Sequence, residues 1–371
     1  MKCRVLVVAL LTVTACSNKK KQEGKEPPVP PEPMVASGSA TEPARDTKLV
    51  ERGEYLAGVL GCGFCHVGVG PTGPDPSKMY VGGLEVPEKF GTWRSPNITQ
   101  DKATGIGGWT DEQIAAAIRE GTRPDGSQLY PIMPYMNYNR LTDDDTKALV
   151  AFLRTIKPVE NKVERTKDLA LPKVPAPKPA NAPDPVDDVQ KHGEYLVTIM
   201  HCDNCHTPMG PQGPDRTKLF AGGMEFEIPF MGTGKLYGSN ITSDPETGIG
   251  KWSQADIEKA VKFMTRPDGT VIQGPMQYYL GGWSKLTDTD LHAIGSFVKA
   301  IPPIKNKVPK STFKPHQGPP PGAGSGSAAG SGSAAAGSGS AAKPAAGSAA
   351  GSAAKPAAGS AAPAAGSGSA K

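Results

Sequence analysis

The feature that most limits what this chain can fold into is an internal duplication. "GEYL" at 53 returns at 193 and Cys62 returns as Cys202, both 140 residues on, as do Gly82-Gly83 and Gly222-Gly223. "NIT" at 97 and 240, "TGIGGW" at 104 against "TGIGKW" at 247, and "RPDG" at 123 and 266 recur at an offset of 143, and "LTD" at 141 and 286 at 145. One module of roughly 110–120 residues is therefore present twice, with small insertions in the second copy; two copies do not make a solenoid. The repeat places the modules at residues 49–157 and 189–308.

Each module reads as helical, and the expected fold class is all-α. A first helix carries Tyr55, Leu56, Val59 and Leu60 on one face, matched by Tyr195, Leu196, Ile199 and Met200. A middle helix opens on a capping-box pattern, Thr110 with Gln113 and Ser253 with Asp256. A last helix starts at Thr142 or Thr287, with apolar stripes through Leu149, Phe152, Leu153 and Ile156, and through Leu291, Ile294, Phe297, Val298 and Ile301. Gly- and Pro-rich loops join them, and nothing reads as a convincing sheet. "NIT" matches a glycosylation acceptor, but in an exported bacterial chain Asn97 and Asn240 read as loop residues.

Outside the modules the composition changes. Hydrophobic residues make up only 37% of the chain, with 45 Gly and 38 Pro, so much of it is expected to be linker or tail. Residues 16–48 read as a tether, 158–188 as a Pro-rich inter-domain linker and 309–371 as a tail, all expected to be disordered. From Gly318 on, only Gly, Pro, Ala, Ser and Lys occur. Residues 1–15 read as a signal peptide: Lys2 and Arg4 precede the apolar run Val5–Val13, which is far short of the ~20 residues a membrane helix needs. Val13-Thr14-Ala15-Cys16 looks like a bacterial lipobox, with Cys16 as the lipidated residue. The expected location is the periplasm of a Gram-negative bacterium, with a lipid anchor in the outer or inner membrane; Ser17 leans toward the outer one. The formal charge of +5 includes Lys2 and Arg4, and no basic stripe is visible, so nucleic acid is not an expected partner.

Four of the six cysteines fall in "CGFCH" (62–66) and "CDNCH" (202–206). The other two, Cys3 and Cys16, lie at the N-terminus, so none remains to staple a core. Cys-x-x-Cys-His is the attachment signature of c-type haem. Two cysteines three apart reach two vinyl groups on one porphyrin edge, and the next histidine lies under the iron. Cys62, Cys65 and His66 are thus expected to hold one haem, and Cys202, Cys205 and His206 a second. A zinc site needs a second ligand pair close by, and a thioredoxin-like dithiol needs a βαβ context; neither is present in the sequence.

The repeat also filters the sixth iron ligand. At offset 143, Met133 falls on Met276, the only methionine pair to coincide. At offset 145 Met276 instead faces Pro131, and both residues also suit a gap-filling role in a core. No second histidine repeats: His192 falls on Arg52, His201 on Gly61 and His292 on Lys147. Met/His ligation raises the potential and closes both axial positions, which suits electron transfer. The proximal imidazole needs an acceptor for its other N–H. A carbonyl in "GPTGPD" or "GPQGPD", at Pro71 and Pro211, is the expected one. Trp109, Trp252, Arg123 and Arg266 also repeat, and suit either a haem propionate or a structural role.

These residues carry a resemblance. "CGFCH", "CDNCH", "SPNIT", "GSNIT", "TGIGGW", "RPDG", "IMPY" and "LTDDD…LVAFL" resemble class I c-type cytochromes. They are more closely similar to the multi-haem cytochrome subunits of bacterial membrane dehydrogenase complexes. The resemblance implies two tandem class I domains, each of three to five helices around a covalent haem. It also implies a close crossing of first and last helices, at Gly53 with Phe152 and at Gly193 with Phe297. Such subunits often carry three haem domains and a C-terminal membrane helix, where two motifs and no such helix are seen here. The implied role is single-electron transfer at a membrane surface, with a dehydrogenase as donor and a cytochrome or oxidase as acceptor, rather than catalysis. Alternatives are an electron-transfer subunit of an alcohol or sugar dehydrogenase and, less favoured, a dihaem peroxidase or a haem-free lipoprotein.

Overall fold

The computed structural model describes residues 46–71, 73–179, 184–211, 213–228 and 231–316. Cys16, the signal segment and the chain from 317 onward lie outside the described residues. The first half carries α1 (Thr47–Val59), α2 (Cys62–Cys65), α3 (Asp111–Arg119), α4 (Tyr135–Tyr138) and α5 (Asp143–Leu153). The second repeats them as α6 (Val189–Ile199), α7 (Cys202–His206), α8 (Gln254–Phe263), α9 (Leu280–Trp283) and α10 (Asp288–Ala300).

Local sequence sets most of these ends. Asp46 and Asp188 cap α1 and α6 by accepting two backbone N–H bonds each. Both capping boxes form, at Thr110–Gln113 and Ser253–Asp256. Thr142 and Thr287 cap α5 and α10, each accepting from the N–H three residues on. Acidic residues in those first turns suit the helix dipole.

The first and last helices of each half do cross closely. A Cβ on Gly53 would collide with the Ala148 carbonyl, and one on Gly193 would lie 2.6 Å from the Phe297 Cβ. Glycine at each crossing lets backbone meet backbone. Leu56, Leu60, Leu149, Leu196, Ile199 and Ile294 are at most 1% exposed and belong to one hydrophobic core shared by both halves. Burying a side chain of this size contributes about 1.5–3 kcal/mol.

Three expectations are corrected. The fold is mainly helical rather than all-α. Five two-stranded antiparallel ribbons occur among the described residues, the longest pairing Glu85–Glu88 with Gly91–Arg94. These ribbons are short and rich in Gly and Pro, so they lack the alternating apolar pattern that announces a strand. The segment 158–179, expected as a disordered linker, is laid on the first half instead. Leu169 is buried there, the Tyr135 hydroxyl donates to the Val174 carbonyl (2.6 Å), and Asn139 Nδ2 donates to the Pro177 carbonyl (2.7 Å). Residues 309–316, assigned to the tail by composition, also pack: Lys314–Pro315 pairs with Gly232–Thr233. In both places hydrogen bonds from the module to the backbone of the segment fix a chain whose own side chains give little sign of it.

The halves meet through an exchange that respects the repeat. Tyr55 of the first half donates to Asp290 of the second (2.5 Å), and Tyr195 of the second donates to Asp145 of the first (2.6 Å). Arg52 holds Asp145 with two bonds (2.8 and 2.9 Å), and its counterpart His192 holds Asp290 (2.8 Å). Asp184, just ahead of α6, reaches both: 2.8 Å to His192 and 3.7 Å to Arg52. Further along the seam, Asn137 Nδ2 donates to the Thr198 carbonyl (3.1 Å) and Trp283 Nε1 to the Val59 carbonyl (2.9 Å).

Candidate haem-attachment sites

Each Cys-x-x-Cys-His motif forms a single tight turn directly after the first helix of its half. Gly61 precedes α2 with φ +73° and His201 precedes α7 with φ +46°, both left-handed. This reversal separates each attachment turn from the helix before it. The four cysteines carry no disulfide. Burial pushes the thiols of Cys62 and Cys205 up to about 12. Among the described residues no group of three or more His, Cys, Asp or Glu gathers that could hold a metal ion.

The histidines are held by a frame that the sequence reading placed elsewhere. His66 Nδ1 lies 2.8 Å from the carbonyl of Pro96, and His206 Nδ1 lies 2.7 Å from that of Ser239. The acceptors are therefore not Pro71 and Pro211, which sit in ribbon turns next to the motif. Pro96 and Ser239 are 30 and 33 residues downstream, immediately before the repeated "NIT". With a carbonyl as partner, Nδ1 must carry the proton, and Nε2 is left as the electron-pair donor. Burial lowers the pKa of both imidazoles, against the hydrogen bond that raises it, and favours the neutral ring that ligates metal.

The repeated glycines and asparagines complete the frame. Gly82 N–H donates to the His66 carbonyl (2.9 Å), and Gly222 N–H to that of His206 (2.7 Å). Gly82 has φ +72° and lies so flat on the Pro96–Asn97 peptide that a Cβ would fall 2.6 Å from the Asn97 nitrogen. One peptide plane is thus gripped by Gly82 while its carbonyl orients the ring. Asn97 then pins that plane: its Nδ2 donates to the Val159 carbonyl (2.8 Å) and its Oδ1 accepts from Thr99 N–H (2.9 Å). Asn240 does the same to Ile304 (2.8 Å) and Thr242 (3.0 Å). Both asparagines lie in loops, as expected, and at 3% exposure they are internal struts of those loops. Their signal was the repeat itself, which kept "PNIT" and "SNIT" beside each other at a fixed offset.

Met133 and Met276 are both partly buried against the shared core. The offset is still 143 where Leu129 N–H meets the Gly121 carbonyl and Ile272 N–H meets that of Met264. It is 145 where α4 and α9 begin. The extra residues are taken up around the 3-10 turn Pro275–Tyr279, which holds Met276 and has no counterpart before α4. Arg123 donates to the Gln128 carbonyl (3.4 Å) and Arg266 to that of Val271 (3.1 Å), so each closes its own "RPDG" loop.

The residues fit covalent haem: paired uncommitted thiols, a neutral histidine oriented from behind, and apolar surroundings. Comparison with known proteins agrees. The cytochrome c family model matches residues 50–157. A dihaem cytochrome c-type protein of Cereibacter sphaeroides is 31% identical over 296 residues, covering 75% of this chain and 92% of that protein. The chain belongs to the cytochrome c family. This cytochrome is also similar to the cytochrome c subunit of a quinone alcohol dehydrogenase from Gluconacetobacter polyoxogenes, at 33% identity over 299 residues and 76% of this chain. It is similar again to the fructose dehydrogenase cytochrome subunit of Gluconobacter japonicus, 34% identical over 294 residues and 74% of this chain. It spans 62% and 55% of the length of those two relatives. Among the described residues no helix is long and apolar enough to cross a membrane.

Proposed function

We propose that this cytochrome carries two haem c groups in two tandem class I domains and passes single electrons between a dehydrogenase and a downstream acceptor. The supporting observation is the identical frame behind His66 and His206, built from residues that the repeat places in register. Finding the same arrangement behind both histidines supports an iron at each.

Bound haem supplies the one-electron Fe(III)/Fe(II) couple. Cys62 and Cys65, and Cys202 and Cys205, fix it covalently. His66 and His206 present Nε2, and the carbonyls of Pro96 and Ser239 hold each ring in one orientation through oxidation and reduction. Met133 and Met276 are proposed to close the opposite faces, which keeps small ligands off the iron and raises the potential. A site closed on both faces disfavours a peroxidase. The partner class follows from the relatives, whose names place them in alcohol and fructose dehydrogenases. We further propose a periplasmic location with Cys16 acylated, which two anchoring chains or more would make stable.

The test is a pyridine haemochrome assay with intact mass on protein matured in a host able to attach haem. Two haems per chain are expected. One or none overturns the dihaem reading. Peroxide turnover, or rapid carbon monoxide binding to the reduced form, would overturn closure of the iron.

A further inference from the structure

We propose that Tyr279 is a shared wall between the two haem sites, a positioning residue that shields both cofactors where their attachment turns meet and so links their potentials. The inference rests on the dihaem reading above. Its basis is the seam between α2 and α7.

Tyr279 comes from the 3-10 turn that exists only in the second half, yet its ring lies over the turn of the first. A Cβ on Gly61 would run into that ring, so the glycine ahead of Cys62 makes room for a residue of the other half. The ring stacks on Trp283 (4.9 Å between centroids) and meets Phe64, between Cys62 and Cys65, edge-on at 6.3 Å. On its other side it meets His201, the residue ahead of Cys202, edge-on at 5.6 Å, with the hydroxyl 3.5 Å from Nε2. His201 in turn packs edge-on against Tyr138 of the first half at 6.1 Å. One side chain therefore touches the residue before the first cysteine in both motifs.

The arrangement is one-sided. At offset 143 Tyr279 faces Met136, and at 145 it faces Pro134, so no aromatic ring occupies the matching position of the first half; the ring that half does send across, Tyr138, meets His201 only. Haem potential depends on burial and on water access around the cofactor. A wall common to two sites makes water access to both depend on one ring, whereas two separate walls would make the sites independent.

The experiment is a spectroelectrochemical titration of the full-length, dihaem protein and its variants. Tyr279→Phe keeps the ring and is expected to leave both midpoints in place. Tyr279→Leu opens the wall, and both midpoints are expected to fall together, with the Fe(II)/Fe(III) ratio at fixed potential changing up to about tenfold, ~59 mV for one electron. Tyr195→Phe, which weakens the contact between halves away from this seam, is expected to move neither. If only one midpoint falls in Tyr279→Leu, or neither does, the shared wall is refuted. The same holds if Tyr195→Phe lowers both. Should Tyr279→Leu fail to mature, His201→Gly carries the test. Glycine accepts the left-handed φ there, as Gly61 does at the matching position, and by removing the ring that Tyr279 packs on the variant is expected to lower both midpoints. A fall in one alone, or in neither, overturns the proposal. A haem count of two with unmoved midpoints defeats this inference alone; a count below two in the unaltered protein defeats the dihaem reading beneath it.

Discussion

Replacing Tyr195 with phenylalanine deletes one hydroxyl from the contact between the halves and leaves the ring in place. That hydroxyl donates to Asp145 at 2.6 Å, and donor and acceptor residues are 9% and 5% exposed, so water cannot readily substitute. A hydrogen bond to a charged group contributes about 1.5–3 kcal/mol. Asp145 keeps both bonds from Arg52, so it is not stranded, and the lower half of that range applies. With a urea m-value of about 2 kcal/mol/M, a loss of about 1.5–2 kcal/mol lowers the unfolding midpoint by roughly 0.75–1 M. The matching change, Tyr55→Phe, is expected to cost less, because Tyr55 is partly exposed and Asp290 keeps His192. Asp184 joins the two sites through His192 and Arg52, so the double variant is expected to depart from additivity by about 0.5 kcal/mol or more. The assay is urea unfolding followed by haem absorbance and by far-ultraviolet circular dichroism. A midpoint shift in Tyr195→Phe below about 0.2 M, under ~0.5 kcal/mol, would refute the claim that these reciprocal bonds hold the halves together.

His192 gives a pH dependence. Burial opposes its charge, but the hydrogen bonds to Asp290 and Asp184 prevail and raise its pKa, with Arg52, Asp145, Tyr55 and Tyr195 as the other ionisable groups of the cluster. Its contribution to stability is therefore complete below the ordinary histidine value and is lost as pH rises through the higher folded value. His192→Arg, which copies Arg52, is expected to flatten that alkaline decline in a series of thermal melts. Gly193→Ala forces a methyl against the Ala293 backbone and Phe297, and is expected to destabilise by about 3 kcal/mol or more, seen as a lower melting temperature and poor haem incorporation. Met133→Ala and Met276→Ala are each expected to remove part of the near-infrared sulfur-to-iron band of the ferric protein; a spectrum unchanged in both would refute methionine ligation.

Much of this was legible in the residues. The duplication located both attachment motifs, and the caps at Thr110, Ser253, Thr142 and Thr287 sit where short-range chemistry puts them. The helix crossings at Gly53 and Gly193 were implied by the resemblance to class I cytochromes, and the close backbone approach there explains why glycine fits them. Contacts that depend on the path of a long loop were not legible. The acceptor carbonyls at Pro96 and Ser239 carry no side-chain signature, since any residue has a carbonyl. The ordered run 158–179 is held mainly through its backbone, so its Pro-rich composition pointed the other way. The exchange of Tyr55 and Tyr195 had a signal, since both tyrosines and both aspartates recur, but periodicity placed Tyr55 and Tyr195 on the core face of their helices.

Matching positions across the seam are filled by unlike residues. Arg52 answers to His192, Asn137 to Gly282 and Tyr138 to Trp283, while Tyr279 answers to nothing aromatic. A permanent cation therefore sits at one end of the exchange and a titratable one at the other. Raising the pH should unbalance the molecule from one end only: the second half loses its cationic clamp on Asp290 under alkali while Arg52 keeps hold of Asp145.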